Sequence, residues 1–590
     1  MKPARTWFPL TGAVSSRGKV AAPKKVTPPI DPLTGPKQAL AGFVVTMDDA
    51  FTLLPDGVVY IDKGCFVAVQ DRAQPGPAGF SGVPVVETGG ILFPGLIELH
   101  NHLCYNALPL WSVPKRFQHR DQWSTHKDYR PMISGPMTVI GQSRNSLGQA
   151  ALLPALVRYV ECKCLLGGVT TTQGVMLASN AGVQRFYRGL IRNVEQTDDP
   201  ALLEAQGRIA DVVAKDAQKF LTRLQKEDSC FLLHLSEGVT DTAKPLSVAR
   251  KHFLALEIKK DEWALNDRFC GIHAAGLLPE DFGILKQKNA SMIWSPLSNL
   301  LLYGGTARVD AAREAEVTIG LGSDWSPTGS KNLLGELKVA WLYSQHVLNG
   351  LFKARDLVAM ATRDAARILK WKGLLGTIAA GARADILVIG GTGGPADEAY
   401  AALIHAKETD IRLVMINGVA RYGVPALMGL LSPDDQTVKV GCQSRKLYLK
   451  QETCDPDVAV VSLSKATSQL RAALLNIATL AKEVEKPKAV AARKLALDAT
   501  AKPVWSLALD EIQDRGEDIR PRLPFDGPSD FTGPKRAAVK VTAAAPPLST
   551  ILKPIQLDPL TVADDPGFLN SIELQLNLPE AVKSNLRGLY

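Results

Sequence analysis

ILFPGLIELHNH, residues 91–102, is an apolar run of strand character that ends in two histidines, His100 and His102. Similar runs follow at GVTTTQGV (168–175), GLIRNVE (189–195), CFLLHL (230–235), FCGIHAA (269–275), SMIWSP (291–296) and TIGLGSD (318–324). Between them lie helical stretches such as LGQAALLPALVRYVECKCLL and RIADVVAKDAQKFLTRLQKE. Strand–helix alternation on this scale predicts a parallel sheet, and residues 91–370 suit a (β/α)8 TIM-like barrel. Seven strands are read in this segment, and the eighth has no visible signature.

On either side the pattern changes. FVVTM, VVYIDKG and CFVAVQ, within residues 41–90, are short β-branched runs separated by turn residues. LLGTIAAGARADILVIG and DIRLVMINGVARYG, within 371–430, read the same way. Two such pieces flanking a barrel predict a small composite β-sandwich built from both flanks. Residues 1–40, rich in Pro, Lys and Gly, read as an extended N-terminal arm, and 431–590 as a helical appendage with a Pro-rich, extended tail. The expected fold class is α/β.

Composition bounds the function. The chain has 590 residues, 46% hydrophobic and 22% charged, which excludes a wholly disordered or fibrous protein. A net charge of +9 is mild at this length, and no nucleic-acid partner is expected. Eight cysteines without scaffold spacing read as reduced thiols, and no secretory leader or membrane span is read, so a cytoplasmic location is expected.

Only nine histidines occur, and four of them end or follow predicted strands. That is the rim where barrels carry their chemistry. His100 and His102, two apart, can share one face and converge on a metal, or they are a pair of exposed loop histidines. His234 leaves a buried strand, with Glu237 three residues on. Either it is a further ligand beside a proton-carrying carboxylate, or it is a satisfied strand-end histidine with a solvated Glu. His273 ends FCGIH and Asp324 ends TIGLGSD. Taken singly they read as a packed imidazole and a helix N-cap. Their succession at strand ends favours one shared site.

The sequence resembles the amidohydrolase superfamily, in the branch of metal-dependent deaminases and triazine chlorohydrolases. FPGLIELHNH (93–102), GVTTTQG (168–174), HLSE (234–237), IHAAGL (272–277), SPLSNLLLYGG (295–305), GLGSDW (320–325), LGTIAAGARADILVI (375–389) and VMINGVARYG (414–423) carry the resemblance. It implies a single divalent metal, zinc first and iron(II) on the same donors, held by His100, His102, His234 and Asp324. Glu237 would be the proton shuttle, His273 the group that polarises the substrate, and Asp324 a proton acceptor. The implied reaction is hydrolysis of a non-peptide carbon–nitrogen bond of a small molecule, foremost deamination of a nitrogenous heterocycle by a metal-activated water. Amide or cyclic-amide hydrolysis, dechlorination, and a lapsed barrel that only binds partners are the alternatives. A homodimer is the oligomer that relatives suggest.

Two features depart from that branch. Its usual H-C-P-x-S-N segment reads WSPLSN here, with Trp294 in place of the histidine, and Trp325 follows the last ligand. Tyr105, Trp111, Gln122, Trp123, Asn299 and Trp325 are candidates to line the pocket or to pack a lid. Cys162 and Cys164 have no second pair at zinc spacing and read as buried thiols. The glycines of 390–394 lack a phosphate-loop lysine and read as a turn.

Overall fold

Gly95 splits the first run in two. In the computed structural model a Cβ at this position would lie 2.4 Å from the Thr170 side chain, so only glycine lets the strands approach. Before it, Val85–Pro94 belongs to one sheet; after it, Leu96–Glu98 enters another. The structure describes residues 36–142, 152–179, 184–197, 199–208, 211–433, 436–451, 454–485, 505–509 and 546–590. Of the expected arm at 1–40, residues 1–35 lie outside these residues; its end is no extended arm, because Gln38 opens the strand Gln38–Val45.

Val85–Pro94 pairs parallel with Gln38–Val45 and antiparallel with Ile386–Gly390, which joins the two flanks. Nine strands follow in one continuous order: 436–440, 443–447, 419–423, 411–416, 386–390, 85–94, 38–45, 53–62 and 65–71. The expected composite of both flanks is thus paired as a single sheet, and the two strands at one edge, 436–440 and 443–447, come from sequence read as helical appendage. Leu40, Val44, Val59 and Leu92 from one flank pack with Ile386, Val388, Leu413 and Met415 from the other. Each such fully buried side chain contributes roughly 1.5–3 kcal/mol.

The intervening segment is TIM-barrel-like. Leu96–Glu98, Val169–Thr172 and Arg192–Asn193 form a parallel sheet of three. Gln206–Arg208, Phe231–Leu235, Phe269–His273, Ser291–Trp294 and Ile319–Leu321 form a parallel sheet of five. Helices Ala217–Leu224, Pro279–Gln287 and Val309–Glu314 connect successive strands of this second sheet or precede them. Among the described residues the backbones of the two sheets are joined only at Ala205 N–H to Val194 O (2.8 Å) and at the Asn101–Asp324 bridge, so the strand pairing does not run on as one closed ladder. Gln206–Arg208 is the strand that the sequence hides: three residues, Gln-Gly-Arg, with no β-branched run.

Ile97, Leu99, Val194, Leu232, Cys270, Ile272 and Ile293 form one inner cluster drawn from five strands and their ends. His234 lies two residues beyond Leu232 on its strand and shares that inner face. Beyond residue 431, the helices Leu463–Leu475 and Ile477–Glu485 are followed, after a stretch outside the described residues, by 546–590, whose helix Glu580–Leu586 packs on Leu333–His346. No helix among the described residues is long and apolar enough to cross a membrane.

Candidate active site

Backbone strain marks the strand ends. Ser236, His273, Ala274 and Asp324 all hold positive φ (48°, 67°, 51° and 66°), a conformation that costs a non-glycine residue about 1–3 kcal/mol. At His273 the turn matters most. Phe269, on the same face of that strand, packs in the outer core, and the left-handed backbone swings the imidazole back among the other histidines. Gly322 lets two strand ends approach: a Cβ there would meet His100 Cβ at 2.5 Å. Asp324 N–H then donates to His100 O (2.9 Å) and His102 N–H to Asp324 O (2.7 Å).

The side chains converge. Asp324 Oδ1 lies 3.2 Å from His100 Nε2 and 3.5 Å from His102 Nε2, and His102 Nε2 lies 3.3 Å from His234 Nε2. Two overlapping groups, His100 with His234 and His273, and His100 with His102 and Asp324, each have ligand atoms within 4.8 Å of one another. His100 Nε2 is buried and makes no hydrogen bond. Clustered imidazole nitrogens facing a carboxylate, one of them left without a hydrogen bond, fit a divalent cation. All four sequence-expected ligands are brought together, and His273 joins them.

Which nitrogen each ring presents is set from behind. Gln173 Oε1 accepts from Asn101 N–H (3.0 Å) and lies 3.2 Å from His100 Nδ1. A carbonyl oxygen there requires a proton on Nδ1, which leaves the Nε2 lone pair free for a metal. His273 is arranged the opposite way. Trp294 Nε1–H donates to Thr306 Oγ1 (2.8 Å), the Thr306 hydroxyl donates to Asn299 Oδ1 (3.2 Å), and Asn299 Nδ2 faces His273 Nδ1 at 3.0 Å. An amide N–H aimed at Nδ1 puts the imidazole proton on Nε2. Burial and the neighbouring imidazoles hold the His273 pKa well below its usual value, so the ring is neutral. His273 therefore presents an N–H donor to the centre, where His100 presents a lone pair. Trp294, the departure noted in the sequence, starts this chain.

Asp324 is ionised. Burial opposes its charge, but the His100, His102 and His273 imidazoles beside it hold its pKa well below the carboxylate range. Ser298 Oγ–H donates to Oδ2 (2.6 Å), which turns Oδ1 toward the histidines. Glu237 is different. Burial pushes its pKa up to about 7, against the pull of the Arg120 guanidinium. Its Oε1 accepts from Tyr303 Oη–H (2.7 Å), whose oxygen accepts from Trp123 Nε1–H (2.7 Å), and Oε2 lies 3.8 Å from His273 Nε2. A carboxyl group poised near neutrality can both take and give a proton.

An aromatic wall closes one side. Trp325 packs on His102 (5.5 Å between ring centres), Tyr105 (4.9 Å) and Trp123 (5.8 Å). Of the other pocket candidates, Asn299 supports His273, Trp111 packs in the lid against Phe117 and His126, and Gln122 is exposed and accepts from Gln118 N–H. Sequence reasoning missed Gln173, Ser298 and Tyr303. All three lie inside the stretches quoted above, and Pro296 at the start of the helix Pro296–Tyr303 was the signal that Ser298 occupies a first turn at the rim.

Beneath the ligands Glu98 accepts from Ser323 N–H and Oγ–H, both at 2.8 Å. Burial raises its pKa to about 8 from an ordinary 4.5. Because the folded value is the higher one, its contribution to stability is complete below about pH 4.5 and is lost as pH rises through about 8. In metal-free protein Glu98→Gln should therefore flatten the loss of stability between those limits in urea melts taken at successive pH values. Equal slopes for the two proteins would refute this.

Comparison with known proteins gives the family. The model of the amidohydrolase family matches residues 91–421, and the chain belongs to that family. It is a metal-dependent hydrolase of carbon–nitrogen bonds other than peptide bonds. It is similar to a 5-methylthioadenosine/S-adenosylhomocysteine deaminase of Desulfitobacterium hafniense, 24% identical over 417 residues that span 65% of this chain and 92% of the relative. The deaminase of the same name from Moorella thermoacetica is 22% identical over 62% of this chain and 91% of the relative. Among solved structures, a triazine hydrolase variant superposes with a TM-score of 0.51 at 19% identity, covering 74% of this chain and 99% of the other. Atrazine chlorohydrolase TrzN from Arthrobacter aurescens TC1, complexed with zinc, gives 0.50 at 18% identity over the same shares. These likenesses show the fold.

Proposed function

We propose that the protein is a zinc-dependent hydrolytic deaminase of an amino-substituted nitrogen heterocycle. The observation that carries this reading is the convergence of His100, His102, His234 and Asp324 beside a proton-carrying Glu237 and an N–H-donating His273. The two similar deaminases act on adenine-bearing compounds by their names, and the Trp325, Tyr105 and Trp123 rings beside His102 offer a flat surface on which such a base can stack. His100, His102, His234 and Asp324 would hold the ion, which when bound supplies Lewis acidity and makes water a nucleophile at neutral pH.

The chain's own groups do the rest. Asp324, ionised, orients the attacking water and accepts its proton. Glu237 takes a proton at Oε2 and returns one to the amino group as the carbon–nitrogen bond breaks and ammonia leaves. His273 Nε2–H donates to the tetrahedral centre, where charge develops. Tyr303 and Trp123 hold Glu237 in place. On the same reading the domains are a flanking sheet from both sides of residues 91–370, which extends to the strand 443–447, the hydrolase segment itself and a C-terminal appendage after 447. The buried thiols of Cys162, Cys164, Cys230 and Cys270, none in a disulfide, agree with a reducing, cytoplasmic setting.

The test is ammonia release from a panel of aminated purines, pyrimidines and triazines by zinc-loaded protein, with chloride release and amide hydrolysis followed in parallel. Ammonia from at least one heterocycle supports the proposal. Chloride or carboxylate as the only product would move the same site to dechlorination or amide hydrolysis. No turnover in any arm would sink the enzymatic reading.

A further inference from the structure

The C-terminal segment, which lies outside the family-matched residues, reaches the back of the site through one buried carboxylate. Asp558 sits between Lys163 and Lys331, all three side chains 2% exposed. Its Oδ1 accepts from Lys331 Nζ (2.5 Å), and Oδ2 accepts from Lys163 Nζ. Asp565 takes a second bond from Lys331 at 2.8 Å, so two lysines meet two carboxylates. Asp558 N–H also donates to Ala107 O (3.0 Å), and its carbonyl accepts from Tyr159 Oη–H (2.6 Å).

Lys163 spends its remaining protons on the site. Its Nζ donates to Ser326 Oγ (2.7 Å) and to Asn106 O (2.9 Å). Ser326 is the neighbour of the pocket-wall Trp325, and its N–H donates to Asn106 Oδ1 (2.8 Å). Asn106 Nδ2–H donates in turn to Asn101 Oδ1 (3.0 Å), between the two histidines of H-x-H. A path of adjacent polar bonds therefore runs from Asp558 through Lys163 to both loops that carry the pocket. The same C-terminal segment braces the lid: Gln575 accepts from Val113 N–H (3.2 Å) and donates to Trp111 O (3.1 Å), and Asn577 donates to Leu301 O (2.7 Å).

We propose that Asp558 is a positioning residue: through Lys163 it fixes the 101–107 and 325–331 loops, so that the C-terminal segment is a working part of the substrate pocket. Its bearing on turnover rests on the function proposed above; its bearing on loop order does not. A lone Asp558→Asn change strands buried lysine charges and destabilises the fold, so the informative protein is Lys163→Met with Asp558→Leu. This pair removes both charges together, leaves Lys331 with Asp565, and in buried ion pairs is often neutral for stability.

The experiment compares this double variant in the full chain with the wild type and with Glu573→Ala, which breaks only an exposed ion pair with Arg587. The expected result has three parts: backbone amides in 101–107 and 325–331 exchange with deuterium at least about tenfold faster, KM rises about tenfold with little change in kcat, and metal content and melting temperature stay near wild type. Exchange in both loops equal to wild type would overturn the proposal, whatever the activity. Faster exchange with an unaltered KM would overturn its catalytic half. An absence of turnover in the wild type would instead count against the proposed function, with the exchange readout still deciding the role of Asp558.

Discussion

Glu237→Gln lowers kcat by roughly 10²–10⁴-fold and leaves the metal content unchanged. The substitution is nearly isosteric. Its Oε1 can still accept from Tyr303, so the shape of the pocket persists. What disappears is a carboxyl group whose burial brings its pKa to about 7, where both protonation states are at hand. An amide can neither accept the proton nor return it to the departing nitrogen. Steady-state kinetics with elemental analysis on the same sample checks this. A variant with wild-type kcat, or one that has lost its metal, would show that Glu237 has been given the wrong role.

His234→Ala removes a proposed ligand, and its expected effect is larger. Loss of an outer partner such as Gln173 costs about 10–100-fold in metal affinity or activity. Loss of a ligand removes a bond to the ion itself and leaves His102 facing a gap 3.3 Å away where a ring nitrogen stood. The protein should then purify with well under one metal per chain and show no turnover above that of chelated wild type. Because a bound ion stabilises only the folded form, the wild type should gain thermal stability on adding zinc while the variant gains little. Full metal content in the variant, with an unchanged response to zinc, would exclude His234 from the coordination shell.

Much of this arrangement is legible in the sequence. His100, His102, His234 and Asp324 each close an apolar run, and strand ends in a repeating β–α pattern point to one rim. The strands themselves are legible where they carry a run of large apolar residues, as in FLLHL, and not where they are Gln-Gly-Arg. The break at Gly95 is not, because the contact that demands glycine comes from Thr170, 75 residues away. The proton positions on His100 and His273 are not legible either. They depend on Gln173 and on the Trp294–Thr306–Asn299 chain, which are neighbours only after folding. Asp558 is hidden most deeply. It stands in a Pro-rich stretch with no periodicity, and its two lysine partners are neighbours only after folding.

The central claim is that side chains distant in sequence share one cation through nitrogen and oxygen alone. X-ray absorption at the zinc edge of the loaded protein measures that directly. The account predicts a shell of nitrogen and oxygen scatterers at about 2.0–2.2 Å, with the outer-shell pattern of imidazole rings and no sulfur. A sulfur scatterer at about 2.3 Å, or an oxygen-only shell without imidazole, would contradict it.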